Sequence, residues 1–234
     1  MIHQCFYRAD QRDALFSAPP YCGFGLEPEI NDTLLSICPE LADKRTRVAL
    51  VEYAAMLFHW RRKDADPDAW IGFTSYRQLS KTAFIFDSKR AVELALADAD
   101  VASWGVWDVS RVRSAWLTGA AAQANLASPS LHKFTVDVLS HFGLGIPQAY
   151  FAGKQIIFAN YWVMSRQNFD RYMSWSWPIV QHAHTLDHPY KCAVPVHARI
   201  DQRKAVGYLA ERLFAMWVLR EGLRVAALGD VTVM

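Results

Sequence analysis

Ala69-Trp70-Ile71-Gly72-Phe73-Thr74 is a short apolar run that breaks off into Ser75-Tyr76-Arg77-Gln78. The turn-forming Asp66-Pro67-Asp68 bounds it upstream. A run of this length with no polar alternation suits a strand covered on both faces, as in a parallel sheet between helical layers. In open α/β sheets the carboxyl ends of such strands face ligands, so Ser75, Tyr76 and Arg77 become candidate site residues.

The flanks support an alternating α/β order. Val48, Val51, Ala55, Leu57 and Phe58 recur at helical spacing within Lys44–Arg62, and Lys63-Asp64-Ala65-Asp66-Pro67 stops the helix. Downstream, Ser88 can cap a helix over Lys89–Ala97, and Val101–Trp107 is rich in strand formers, with Asp108 just past its end. Farther out, Ile2–Tyr7 predicts a first strand that runs into the charged turn Arg8–Asp13. Ser17–Pro39, rich in proline and glycine, predicts an irregular segment with at most a short helix near Glu29–Leu35. Ser110–Gly143 reads as two helical pieces interrupted near Ser128-Pro129, and Gln155–Met164 as one strand with Asn160 near its middle. Asn168–His184 and Arg203–Arg220 are amphipathic helices, and Val225–Met234 is a closing strand or tail. The expected fold class is α/β, a mixed, mostly parallel sheet flanked by helices, in a single domain spanning 1–234.

Composition narrows the function. The 234 residues are 52% hydrophobic and 21% charged, enough apolar surface for a large core and too much for a disordered chain. A net charge of +2 provides no broad cationic field for nucleic acid or an anionic membrane. No apolar run approaches the ~20 residues that span a bilayer, and the first residues turn charged too early for a secretory signal, so a cytoplasmic location is expected. Cys5, Cys22, Cys38 and Cys192 are too scattered for a structural zinc site and are expected to be reduced thiols. Nine tryptophans serve either core packing or stacking on flat apolar faces such as sugar rings and nucleobases.

Signatures for dinucleotide binding, the P-loop, zinc proteases and the nucleophile elbow are absent. His182 and His184 are spaced i, i+2 and do not share a helix face, so the group with His188 and His197 reads as surface or loop histidines. Asp64-Ala65-Asp66, Asp66-Pro67-Asp68 and Asp98-Ala99-Asp100 all precede strands, the wrong end for holding a cation against a diphosphate, and no metal site is expected.

Longer stretches carry a resemblance. Glu52-Tyr53-Ala54-Ala55-Met56-Leu57-Phe58-His59-Trp60 followed by Trp70-Ile71-Gly72-Phe73-Thr74-Ser75-Tyr76-Arg77-Gln78 is similar to the E-L-T-A-x-Y-W-x-W and Y-x-G-L-x-H-Y-R-R patterns of a bacterial glycosyltransferase domain family of capsule and O-antigen synthesis. Asn160-Tyr161-Trp162-Val163-Met164 resembles that family's N-M-F-I-M, and Gly207-Tyr208-Leu209-Ala210-Glu211-Arg212-Leu213-Phe214-Ala215-Met216-Trp217 its G-F-L-S-E-R-L-F-N-V-W. Agreement spans roughly Val51 to Val225 in the same order.

The resemblance implies a GT-A-like domain, with 1–109 binding a nucleotide-diphosphate sugar and 110–234 on the side of a saccharide acceptor. It implies no cofactor and no divalent metal, because Tyr76-Arg77 stands where related enzymes carry a metal-binding Asp-x-Asp. Arg77 would stabilise the departing diphosphate with a planar, permanently charged fork of donors, while Tyr76 would bond the phosphates or stack on the sugar. Ser75 and Gln78 replace a family His and Arg, which thins the positive charge; Arg203, Lys204 and Arg212 are available to restore it. Glu211 is the first candidate base for the acceptor hydroxyl and Asp108 the second, with bracing of Arg212 or Arg77 as the alternative for Glu211. Glu52, which interrupts the apolar face of the early helix, either bonds a loop, the favoured structural role, or a donor ribose. Asn160 either contacts a sugar or ties strands. Phe6, Tyr7 and Arg8 are the nucleobase candidates, and Trp107 and Trp162 are acceptor platforms or buried core. Expected partners are the nucleotide sugar, the saccharide acceptor and, peripherally, other polysaccharide-synthesis enzymes. The competing expectation is a catalytically silent saccharide-binding or scaffold protein.

Overall fold

The computed structural model describes residues 1–50, 52–62, 66, 69–75, 89–108, 129–152, 155–157, 160–189 and 205–228. Among them the strands are β1 (Ile2–Phe6), β2 (Tyr21–Gly25), β3 (Trp70–Ser75), β4 (Val101–Ser103), β5 (Val106–Asp108), β6 (Gln155–Ile157), β7 (Trp162–Ser165) and β8 (Val225–Ala227). The helices are α1 (Leu34–Ile37), α2 (Lys44–Leu50), α3 (Glu52–Arg61), α4 (Lys89–Ala97), α5 (Pro129–His141), α6 (Gln148–Ala152), α7 (Arg166–Thr185) and α8 (Ala205–Glu221).

Six strands form one sheet in the order β2-β1-β3-β7-β4-β8, and β5 pairs with β6 in a separate antiparallel ribbon. Within the sheet β7 alone runs against its neighbours. The fold is α/β with a mostly parallel sheet between helical layers, as the apolar character of β3 predicts. The two halves of the chain share this sheet, since β7 and β8 flank β4.

β7 shows how sequence alternation builds the layers. Trp162 and Met164 enter the larger core with Phe73, Phe169, Tyr172 and Phe214, under α3, α7 and α8. Val163 points the other way, toward Ile2, Val92, Ala102 and Trp104 under α4. The β3–β7 approach is so close that a Cβ on Gly72 would lie 2.6 Å from Val163 Cγ2 and 2.9 Å from the Trp162 carbonyl oxygen, so this position requires glycine. Tyr53 Oη and Ser176 Oγ, 2.7 Å apart, tie α3 to α7 within the core.

Three expectations need correction. The segment expected to be irregular contains β2, an edge strand parallel to β1 with Phe6 opposite Gly25; its glycines and the neighbouring Pro19-Pro20 hide the strand pattern. Val101–Trp107 is two strands, because Trp104-Gly105 turns the chain out of the sheet, and Asp108 ends β5 rather than following β4. Gln155–Met164 is likewise two strands in different sheets, with Asn160 between them. The expected helix of 44–62 is helical over Lys44–Leu50 and Glu52–Arg61, as its spacing predicts.

Candidate active site at the carboxyl edge of the sheet

The carboxyl ends of β1, β2, β3 and β4 line up at one edge: Cys5 is opposite Ser75, Phe6 opposite Gly25, and Ser103 opposite Trp162 at the start of the reversed β7. The edge is organised around Tyr161. Its carbonyl accepts from Ser103 Oγ at 2.8 Å and from the Trp104 N–H at 3.1 Å, which joins β7 to the end of β4. Its phenol lies 2.5 Å from Ser75 Oγ, a fully enclosed contact that joins β7 to the end of β3. Burial raises the phenol's pKa, and the nearby carboxylates of Glu52 and Glu211 raise it further, against the Ser75 contact, which lowers it. Tyr161 therefore stays a neutral hydroxyl at working pH.

Glu52 enters from the first turn of α3 and is buried. Glu211 and Arg212 come from the middle of α8. Arg212 is 8% exposed and its Nη1 donates to the Tyr208 carbonyl at 2.7 Å, one turn back. Burial pulls its pKa down, and Tyr150, Glu211 and Tyr208 pull it back up. A guanidinium remains charged under such opposition. The Tyr150 phenol is pushed up by burial and eased by Arg212. Arg212 is a buried cation beside the Glu211 carboxylate, whose charge is felt at the Tyr161 phenol, and such a pair can hold an anion and accept a proton.

Asn160, 2% exposed, adjoins Tyr161, and its Oδ1 has no hydrogen-bond partner among the described residues. At the end of β1, Phe6 is buried beside Gly23 and Gly25, with the Arg12 guanidinium 5.6 Å from its ring. Tyr7 is half-buried and its N–H donates to Gln11 Oε1 at 2.7 Å. Arg8 is exposed and forks onto Asp10, with Nε and Nη2 bonds of 3.0 and 2.8 Å. Of the nucleobase candidates, only Tyr7 and Arg8 keep exposed surface.

Trp162 requires correction as an acceptor platform: it is 0% exposed, stacked 4.7 Å from Phe214 and edge-on to Phe73 at 5.3 Å, which leaves no face for a sugar. Trp107 and Asp108 form the β5 backbone opposite Ile156 and Gln155, and their side chains lie outside the described residues. So do Tyr76, Arg77, Gln78, Arg203, Lys204, His197 and Cys192. The Asp-x-Asp string at β4 sits at the opposite edge, where Asp100 accepts from the Arg224 N–H at 2.8 Å. Among the described residues no three His, Cys, Asp or Glu side chains converge for a metal ion. His182 stacks on His141 and His188 bonds Asp137 at 3.0 Å.

The structure thus joins Ser75 to Tyr161 next to Asn160 at this edge, with the Glu211 charge acting on the Tyr161 phenol and Arg212 beside Glu211 and Tyr150; sequence reading assigned no role to Tyr161 or Tyr150. Both are tyrosines in apolar surroundings and look like core; the one available signal is that Tyr161 directly follows the polar Asn160.

A family profile described as a domain of unknown function (DUF4422) matches residues 135–222, which include Tyr150, Asn160, Tyr161, Glu211 and Arg212. No curated protein matches the chain. Among solved structures it is similar to the apo structure of WbbM, a bifunctional glycosyltransferase, with 14% identity and a TM-score of 0.54. The match covers 97% of this chain and 44% of that one, so the chain spans less than half the neighbour's length. At this identity the likeness is one of fold: the six-stranded sheet and its helices are similar to the matched part of that structure. Among the described residues no helix is long and apolar enough to cross a membrane.

Proposed function

We propose that the chain is a glycosyltransferase that moves a sugar from a nucleotide-diphosphate donor to a hydroxyl of a saccharide acceptor, in the cytoplasm, during bacterial surface polysaccharide synthesis. The observation that carries this reading is the buried Arg212 beside Glu211, a carboxylate whose charge acts on Tyr161 at the carboxyl edge of a sheet similar in fold to that of a glycosyltransferase.

The donor diphosphate lies against Arg212, joined by Tyr76 and Arg77 from the residues that follow β3. Tyr7 and Arg8 meet the nucleobase, and Asn160 and Trp107 meet sugar. The acceptor oxygen attacks the anomeric carbon while Glu211, or failing it Asp108, takes the hydroxyl proton. The bond from that carbon to the phosphate oxygen breaks, and the released diphosphate keeps the electron pair, its growing charge met by fixed guanidinium groups. Such groups substitute for a divalent cation, so transfer proceeds without one. Other enzymes of the same polymer pathway are the natural peripheral partners.

Turnover of a nucleotide-sugar panel in EDTA tests this. Diphosphate release from at least one donor is the expected result; release that requires added Mn²⁺ or Mg²⁺ overturns the metal-independent mechanism. A second reading, a catalytically silent saccharide-binding protein, has specific support: Arg8 is already forked onto Asp10, and Ser75 is already engaged by Tyr161. Saccharide binding with every donor intact would establish it.

A further inference from the structure

A second polar groove lies at the other edge of the sheet. Ser165 of β7 is opposite Trp70, the first residue of β3, and the Arg166 N–H donates to the Ala69 carbonyl at 2.9 Å, so α7 starts at the amino edge. The end of α8 returns there too, ahead of β8. Between the two helices is an open groove of about 900 Å³. Trp217, almost fully buried, contributes to its lining, as does Trp175, whose ring has the Arg220 guanidinium 5.8 Å from its centre. Pre-formed ion pairs flank the ring: Arg166 Nε to Asp170 Oδ1 at 3.0 Å, and Arg171 Nη2 to Glu221.

We propose that this groove is a saccharide-binding site separate from the transfer site. Its side chains are already paired, so the groove offers donors and acceptors side by side around an indole, the combination a neutral polyol can satisfy without breaking any pair. A strongly anionic ligand would have to draw Arg166, Arg171 or Arg220 off the Asp170 and Glu221 carboxylates that they already pair with, and an apolar partner would bury exposed charge at a cost. Arg220 is about half exposed, so its swing off the Trp175 ring gives up little. A sugar ring that takes the place of Arg220 would stack on the indole face. The site holds a length of glycan at the edge away from Glu211 and Arg212.

The test is a titration of the full chain with neutral oligosaccharides of glucose, galactose, mannose and N-acetylglucosamine, followed by saturation-transfer NMR and calorimetry. At least one should bind, and Trp175→Ala should lower its affinity at least tenfold. Trp175 is partly buried, so Ser174→Trp serves as a second variant: Ser174 is exposed on the groove wall, and a bulky ring there should block binding while the melting temperature stays within 2 °C of wild type. No binding by any of the panel, binding unaltered in both variants, or a groove that takes inorganic phosphate and no sugar overturns the proposal. This readout needs no diphosphate release, so it stands or falls apart from the transferase reading.

Discussion

The two edges of the sheet use the same residue types in opposite ways. At the carboxyl edge Arg212, Glu52, Ser75, Tyr161 and Asn160 are buried, and polar groups there meet each other out of water. At the amino edge Asp170, Arg171 and Arg220 are about half exposed, and with the more buried Arg166 and Glu221 they are paired across or along α7 and α8. Desolvation makes a charge at the first edge act strongly on whatever enters, whereas water damps the charges at the second. On the two proposals above, the difference would separate chemistry at the first edge from saccharide binding at the second.

The largest effect is expected at Glu211. Glu211→Gln should lower sugar-transfer turnover by roughly 10²–10⁴-fold, the range for losing a general base, with donor affinity held within about twofold. Steady-state kinetics and calorimetry check it; equal losses in affinity and turnover would make Glu211 a brace for Arg212 instead.

Burial also governs charge in the middle of the sheet. His3 and His59 stack 3.7 Å apart, and His3 Nδ1 lies 3.1 Å from Cys22 Sγ. Burial lowers the His3 pKa to about 3, helped by the chain's amino group and Arg62, and lowers His59 well below its usual value, helped by His3. Both groups bind fewer protons folded than unfolded. Their contribution is complete above the unfolded value near 6.5 and is lost as pH falls from there toward 3, at up to about 1.4 kcal/mol per pH unit for each histidine. Urea midpoints between pH 7.5 and 4.5 should drop accordingly, and His3→Phe should flatten the profile; an unchanged profile in that variant would remove the histidine from the account.

Smaller effects bear on the edges themselves. Tyr161→Phe and Ser75→Ala should each cost about 1 kcal/mol by urea denaturation, and the double variant should cost less than their sum, because both remove one buried contact. Additivity within error would mean the two hydroxyls are not coupled. Arg171→Ala, at the exposed edge, should change stability by less than about 1 kcal/mol in the same assay. A larger loss would erase the contrast between the edges.

Much of the fold was legible because strongly apolar or periodic segments have few alternatives. β3, α4, α7 and α8 fall within a few residues of where apolar runs, the Ser88 stretch and helical spacing place them. β2 was hidden because a glycine-rich edge strand next to Pro19-Pro20 has the composition of a loop, and its pairing with β1 is a tertiary fact. The two split strands read as single runs for a related reason: Gly105 and Asn160 are single residues inside otherwise strand-like runs, and whether such a residue bends the chain depends on what packs around it. At the site, Glu211 and Arg212 stood out as charges inside an apolar helix. Tyr161 did not, since a phenol among aromatics looks like core until its hydroxyl is seen on Ser75. Trp162 failed in the other direction, because a tryptophan's sequence neighbours do not reveal whether either face is open.

The most direct test of transfer at the carboxyl edge is donor binding by Arg212. Calorimetric titration of nucleoside diphosphates and their sugars, in EDTA, into the wild-type chain and Arg212→Met should give one donor that binds the former and at least about 100-fold more weakly the latter, the scale of losing one preorganised charge contact, with the melting temperature preserved. Equal affinity for both proteins would contradict the assignment of this edge to the donor diphosphate.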